Sequence, residues 1–304
     1  MRDTFRSCAA VAVAVACLAI AIRAQDDTTR SIVAEKFLKA RPAPASTAPP
    51  RPATYRPAPR PGSGQAGPVK TPAKGETVEL GITVWRLRPS KAGDAARLLV
   101  QDKDATTEWT PERVPVGAPL AAGDRVRLSI ESPRAGYLYV VDREQYADGT
   151  SGEPFLIFPT SRTRGGENAV AGGRLIDLPS QEDRPPFFTM RPSRADQTGE
   201  RLTILVTEHP LPGLTIGAEP VRLSPAVVAD WEAKGAASVE RLEMVGGAGR
   251  AWSRAEQRAG SDATRLLRQD DPPPQTLFRV VVRQADLVAV NVVLSQGSTG
   301  RRHK

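Results

Sequence analysis

Cysteine and histidine are nearly missing from this chain. Of 304 residues, two are cysteine, Cys8 and Cys17, and two are histidine, His209 and His303. A disulfide-stapled scaffold needs more cysteine, and a zinc centre more cysteine and histidine, so the counts point away from both classes. Aromatic residues are scarce at 5%, and no apolar run reaches the roughly 20 residues that span a bilayer as a helix. Proline is in excess, with 28 residues, nearly twice its usual share of about 5%. That weighs against an all-helical bundle, because proline interrupts helices.

Both cysteines fall in one N-terminal segment. Arg2 and Arg6 precede an apolar run from Cys8 to Ile22, and Ile22-Arg23-Ala24 then places a small residue ahead of the polar Gln25-Asp26-Asp27. This pattern reads as an export signal, residues 1–24, cut after Ala24. As a helix the run would cover only about 22 Å of a hydrocarbon core of about 30 Å, which disfavours an uncleaved anchor. Lipidation at Cys17, after Ala16, is disfavoured by the apolar stub Leu18 to Ile22 and by Ala14 three residues before it. A mature chain would then carry no cysteine and depend on its core alone, in a periplasmic or extracellular setting.

The net charge of +8 is uneven. Residues 25–78 hold nine Lys/Arg against four Asp/Glu, whereas residues 79–300 hold 27 against 29. The basicity thus belongs to the N-terminal segment and to the tail Arg301-Arg302-His303-Lys304, which points away from nucleic acid as a partner of the folded part. Ten prolines lie in residues 41–72, among alanines, arginines and small polar residues. That composition predicts a disordered, extended spacer over 25–77. Gly62-Ser63-Gly64-Gln65-Ala66-Gly67 spells a dinucleotide-binding pattern but neither follows a strand nor opens a helix, so it implies no cofactor.

From residue 78 onward, short alternating runs predict strands. In Arg125 to Glu131, Val126, Leu128 and Ile130 share one face, and Arg125, Arg127, Ser129 and Glu131 share the other, expected to be wet. A turn at Ser132 to Gly136 and a return over Tyr137 to Val141 suggest a hairpin. Ile82 to Leu87, Phe155 to Phe158, Leu175 to Leu178, Phe187 to Met190 and Arg201 to Thr207 continue the series. The fold class expected is mostly β, an antiparallel β-sandwich or partly open barrel over 78–214. Over 215–296 the pattern predicts a small helical extension and a closing hairpin that pack on the β domain. A helix starts at Ser224-Pro225 and stops at Gly235; two more are expected over Ser238 to Val245 and Arg250 to Arg268. The closing strands are Phe278 to Arg283 and Leu287 to Leu294, and the basic tail is 297–304.

Gly123-Asp124-Arg125-Val126-Arg127-Leu128, then Ser132 through Gly136-Tyr137-Leu138-Tyr139-Val140, then Asp148-Gly149 and Ile157-Phe158-Pro159 form an ordered set of motifs. Over about residues 115–207 the chain resembles the bacterial domain of unknown function 4384 family (DUF4384). The resemblance implies a mostly β module of exported or envelope-associated bacterial proteins, and it supplies no catalytic residue.

Four carboxylates, Asp142, Glu144, Asp148 and Glu153, fall in what reads as one long loop. Hard oxygen ligands on a loop suit calcium, although their spacing matches no calcium loop. Asp102-Lys103-Asp104 begins like an EF-hand, but Arg113 stands where the bidentate glutamate belongs. His209 lacks a serine elbow and is read as a loop residue. Gly246-Gly247-Ala248-Gly249 lacks the Lys-Ser/Thr of a phosphate loop. Arg250, Arg254, Arg258, Arg265 and Arg268 would share an arc of about 80° if residues 250–268 formed one helix. With Tyr137 and Tyr139 on the sheet, they make a candidate surface for a protein or an anionic envelope polymer. The function expected is therefore a non-enzymatic binding module on a proline-rich tether. The alternative is a carboxylate-dependent hydrolase acting between the β domain and the C-terminal helices.

Overall fold

Strict alternation builds both layers of the protein. The computed structural model describes residues 33–43, 53–58, 75–102, 105–132, 134–284 and 286–297. The export signal with both cysteines, the Gly62–Gly67 motif and residues 298–304 lie outside them. Strands are numbered in chain order. One sheet holds β1 (Tyr55–Pro57), β2 (Thr77–Pro89), β3 (Leu98–Asp102), β4 (Ala105–Val114), β6 (Arg125–Glu131), β10 (Leu175–Leu178), β11 (Phe188–Thr189), β14 (Ser238–Met244) and β15 (Thr276–Val281). The other holds β5 (Pro119–Leu120), β7 (Gly136–Tyr146), β8 (Phe155–Phe158), β9 (Ala169–Val170), β12 (Gln197–Thr207), β13 (Val221–Arg222) and β16 (Leu287–Gln296). All pairings are antiparallel except the short β5–β16 contact, and neither sheet closes on itself. The mostly β, antiparallel class expected from the sequence is the one observed.

Leu80, Ile82, Leu128 and Ile130 of the first sheet meet Leu138, Val140, Ile204 and Val206 of the second in one core. Long β2 organises the first sheet: β15 pairs along Thr77–Ile82, β4 along Val84–Pro89, and β6 runs on its other edge. In the second sheet β12 lies between β7 and β16.

Several local expectations are corrected. The segments 125–131 and 137–141 do not form a hairpin; β6 and β7 belong to opposite sheets, so the intervening turn crosses the sandwich. The closing strands are both present but likewise divide, β15 into one sheet and β16 into the other. Ser238 to Val245 contains β14 instead of a helix. Leu242 and Met244 alternate onto a buried face beside Leu277, and β14 pairs with β15 on one edge and β1 on the other. A helix, α2, does form at Pro225–Gly235 as expected, although the Ser224 hydroxyl makes no capping bond. The last expected helix shrinks to α3 (Arg254–Ser261).

The N-terminal segment is not a free spacer throughout. A helix over 33–39, α1, and strand β1 dock on the domain, burying Val33, Ala34 and Tyr55 against Leu242, Met244 and Leu277. Just after α1, Arg41 reaches Glu131 of β6, with Nη2 to Oε2 at 2.6 Å.

Glu131 belongs to the face of β6 expected to be wet. That face is instead covered by 250–275 and by the segment after α1. Arg127 binds Asp177 at 3.0 Å, with side chains 1% and 3% exposed. The Trp85 indole N–H donates to Ser129 Oγ, whose hydroxyl donates to the same Asp177. Two positions require glycine for this cover to close. A Cβ on Gly260 of α3 would collide with the Asp177 carboxylate, and one on Gly81 of β2 would meet Pro274 at 2.9 Å. Asp177→Ala should therefore leave the Arg127 charge buried and cost about 3–5 kcal/mol in a denaturant titration. A loss below about 1 kcal/mol, the range of exposed pairs, would contradict this account.

Candidate functional site

Strands β7 and β12 run past the end of the apolar core, and there their inward positions change from hydrophobic to acidic. Leu138 and Val140 are followed on the same face by Asp142 and Glu144, and Leu202 is preceded by Glu200. The register sets Asp142 opposite Leu202 and Glu144 opposite Glu200. Asp142 and Glu200 line a cleft of about 310 Å³ at the open end of the sandwich. Its apolar wall comes from Val126, Leu128, Phe188 and Met190, and its rim carries Arg162 and Glu219, which pair with each other at 2.6 Å.

The electrostatics follow from this placement. Burial, then the charge of Glu144, pushes Asp142 up from an ordinary 3.8 to about 7. Burial, then Asp142 and Glu144, pushes Glu200 from 4.5 to about 8. Asp142 Oδ1 is buried without a hydrogen-bond partner among the described residues. Glu144 is held at the side of the group, where its Oε2 accepts from Tyr146 Oη at 2.6 Å and Ser193 Oγ at 2.8 Å. The Arg194 guanidinium covers the Tyr146 ring at 3.9 Å. Chemically, the cleft offers a protonated carboxyl that can donate beside one that can accept, in surroundings that strengthen both bonds.

The four carboxylates picked out from the sequence do not converge. Asp142 and Glu144 are strand residues; Asp142 lines the cleft and Glu144 lies beside it. Asp148 instead closes its own turn, accepting from Thr150 N and Oγ1 at 2.8 and 2.6 Å, and these bonds hold its carboxyl below the ordinary range. Glu153 pairs with Arg222 at 3.0 Å. Among the described residues, no group of three or more Asp, Glu, His or Cys side chains is placed to hold a metal ion. His209 is exposed after β12, with its carbonyl accepting from Thr207 Oγ1.

The proposed tyrosine–arginine surface is not one surface. Tyr139 is buried, and its hydroxyl accepts from the Leu211 N–H at 2.9 Å; Tyr137 is half-buried beside it. Of the five arginines only Arg254 and Arg258 lie on α3. Arg254 donates to the Ala95 carbonyl and Arg265 pairs with Asp271, while Arg250 and Arg268 stand on the flanking segments. The 80° stripe is lost because the helix ends at Ser261.

A larger cleft of about 580 Å³ does lie between α2 and the sheets, lined in part by Arg201, Glu232, Glu240 and Asn291. Its carboxylates are already engaged, Glu232 by Thr203 Oγ1 and Glu240 by Arg279. The perturbed acids therefore sit between the two sheets and not beneath the helices. Glu200 was missed by sequence reasoning, yet it lies two residues before Leu202 in the alternation of Leu202, Ile204 and Val206. Extending that pattern would have placed it on the dry face.

Comparison of the chain with protein-family models, curated proteins and solved structures finds no match. Among the described residues no helix is long and apolar enough to cross a membrane.

The acid group has a measurable signature. Asp142 and Glu200 hold protons more tightly folded than unfolded, so their contribution to stability is full below about pH 4 and is lost as pH rises through about 7 and 8. Between pH 5 and pH 9, the chain should lose on the order of 3–7 kcal/mol relative to the Asp142→Asn, Glu200→Gln double variant. Parallel pH profiles for the two proteins would show that these groups are not perturbed.

Proposed function

We propose that the protein is an exported, envelope-associated binding module that takes an ammonium group of its ligand into the cleft floored by Asp142 and Glu200. The observation that carries this reading is the acid floor itself: carboxyls crowded together between apolar walls, with protons that a cation can displace. An ammonium ion entering the cleft favours the ionised carboxylates and offers donors to Asp142 Oδ1. The compartment rests on the N-terminal pattern of Arg2 to Ala24, and the module class on the resemblance to the DUF4384 family. Any tether is shorter than composition suggests, because α1 and β1 dock on the domain.

A second reading is favoured by the same acids. Two carboxyls with raised pKa in a cleft are the equipment of general acid–base hydrolysis, here acting between the sheets.

Calorimetry with 1,4-diaminobutane and 1,4-butanediol separates charge from shape. The diamine should bind and the diol should not. Affinity should rise about tenfold from pH 6 to pH 8.5 as the acids ionise, with Glu200→Gln reducing the rise. Equal binding of the two probes, or an unchanged pH response in the variant, would refute the ammonium site. Product release from envelope glycan oligomers, lost in the same variant, would favour the hydrolase.

A further inference from the structure

On the opposite face of the same two strands, Arg143 of β7 and Arg201 of β12 are direct cross-strand partners. Directly opposed residues share a face with Cα atoms about 4.5–5.5 Å apart, and like charges so placed destabilise a sheet. Neither guanidinium makes a hydrogen bond or ion pair among the described residues, and Arg143 Nη2 is buried without a partner. Both side chains are half-buried, so water does not fully screen them. Glu232, which lines the same cleft as Arg201, accepts from Thr203 at 2.8 Å and forms no ion pair with Arg201.

We propose that Arg143 and Arg201 bind a phosphate group. Two guanidiniums present two planar donor forks and two positive charges. A single carboxylate satisfies one fork, whereas a phosphate monoester carries about two negative charges and three acceptor oxygens, enough to bridge both. Arg201 also lines the 580 Å³ cleft, which gives room for whatever carries the phosphate. This site is independent of the acid cleft, from which it is separated by the thickness of the sheet.

The test uses the full chain, the variants Arg143→Gln and Arg201→Gln, and inorganic phosphate as the first probe. Phosphate should raise the melting temperature of the parent protein and shift the arginine Nε–H resonances of both residues. Each variant should weaken binding at least about tenfold, the usual result of losing one charge-assisted hydrogen-bonded partner. Without phosphate the variants should melt no lower than the parent, because like-charge repulsion has been removed; this distinguishes a lost site from a damaged fold. Pyrophosphate and phosphatidic acid vesicles then identify the source. Variant-sensitive binding to vesicles but not to pyrophosphate indicates a lipid headgroup, and the reverse a soluble or polymeric phosphate. Unchanged phosphate affinity in both variants, or no phosphate response in the parent, overturns the proposal.

Discussion

The pairing of Arg127 with Asp177 is the constraint on which the rest of the first sheet depends. Both side chains are almost wholly withdrawn from water, and an ion pair in that position is tolerated only when its geometry and its other hydrogen bonds are satisfied. Asp177 meets the condition by accepting from Arg127 and Ser129 together; Arg127 meets it in part, donating also to the Pro179 carbonyl while its Nη1 is buried without a partner among the described residues. The cover over this pair repeats the device. Arg113 binds Glu256 at 2.6 Å, and the same Glu256 accepts the Ser253 N–H in the capping box that starts α3. Arg41 and Glu131 fasten the N-terminal segment to the same face. Trp85 and Trp252 meet edge to face at 6.4 Å, with Arg113 and Arg127 over their rings. A sheet whose outer face would otherwise be solvated has thereby acquired a third layer, made from the segment after α1 and from residues 250–275.

The second sheet treats charge differently. At the far end of β7 and β12, adjacent rungs set Glu144 opposite Glu200 on one face and Arg143 opposite Arg201 on the other. The strand alternates charge sign along its length, but each cross-strand pair has like sign, so neither face neutralises itself. In the first sheet Arg41, Arg113 and Arg127 each find a carboxylate within 3.0 Å. In the second, burial raises the proton affinity of the acids instead of recruiting a counter-charge. Perturbed groups without structural partners are where function is sought, and this contrast points to the end of β7 and β12 and not to the more deeply buried ions.

Legibility in the sequence followed the range of the interactions. Strands such as Arg201 to Thr207 and the helix at Pro225–Gly235 were readable because alternation, proline and glycine act locally. The β14 segment was misread because only Leu242 and Met244 mark its period among charged neighbours, and its partners lie at residues 55–57 and 276–281. The wet face assigned to β6 failed for a similar reason. Arg125, Arg127 and Glu131 look solvated until segments as distant as Arg41 and Trp252 cover them, and nothing in seven residues can announce a cover supplied from elsewhere. At the site, Asp142 and Glu144 read from the sequence as loop acids because the apolar run over Tyr137 to Val141 ends just before them. The periodicity in fact continues: Leu138, Val140, Asp142 and Glu144 are one face, as are Ile204, Leu202 and Glu200. A strand that keeps its period while its inward residues turn acidic marks the place where a core stops and a cleft begins, because a carboxyl can be held on a dry face only with its proton or with a ligand.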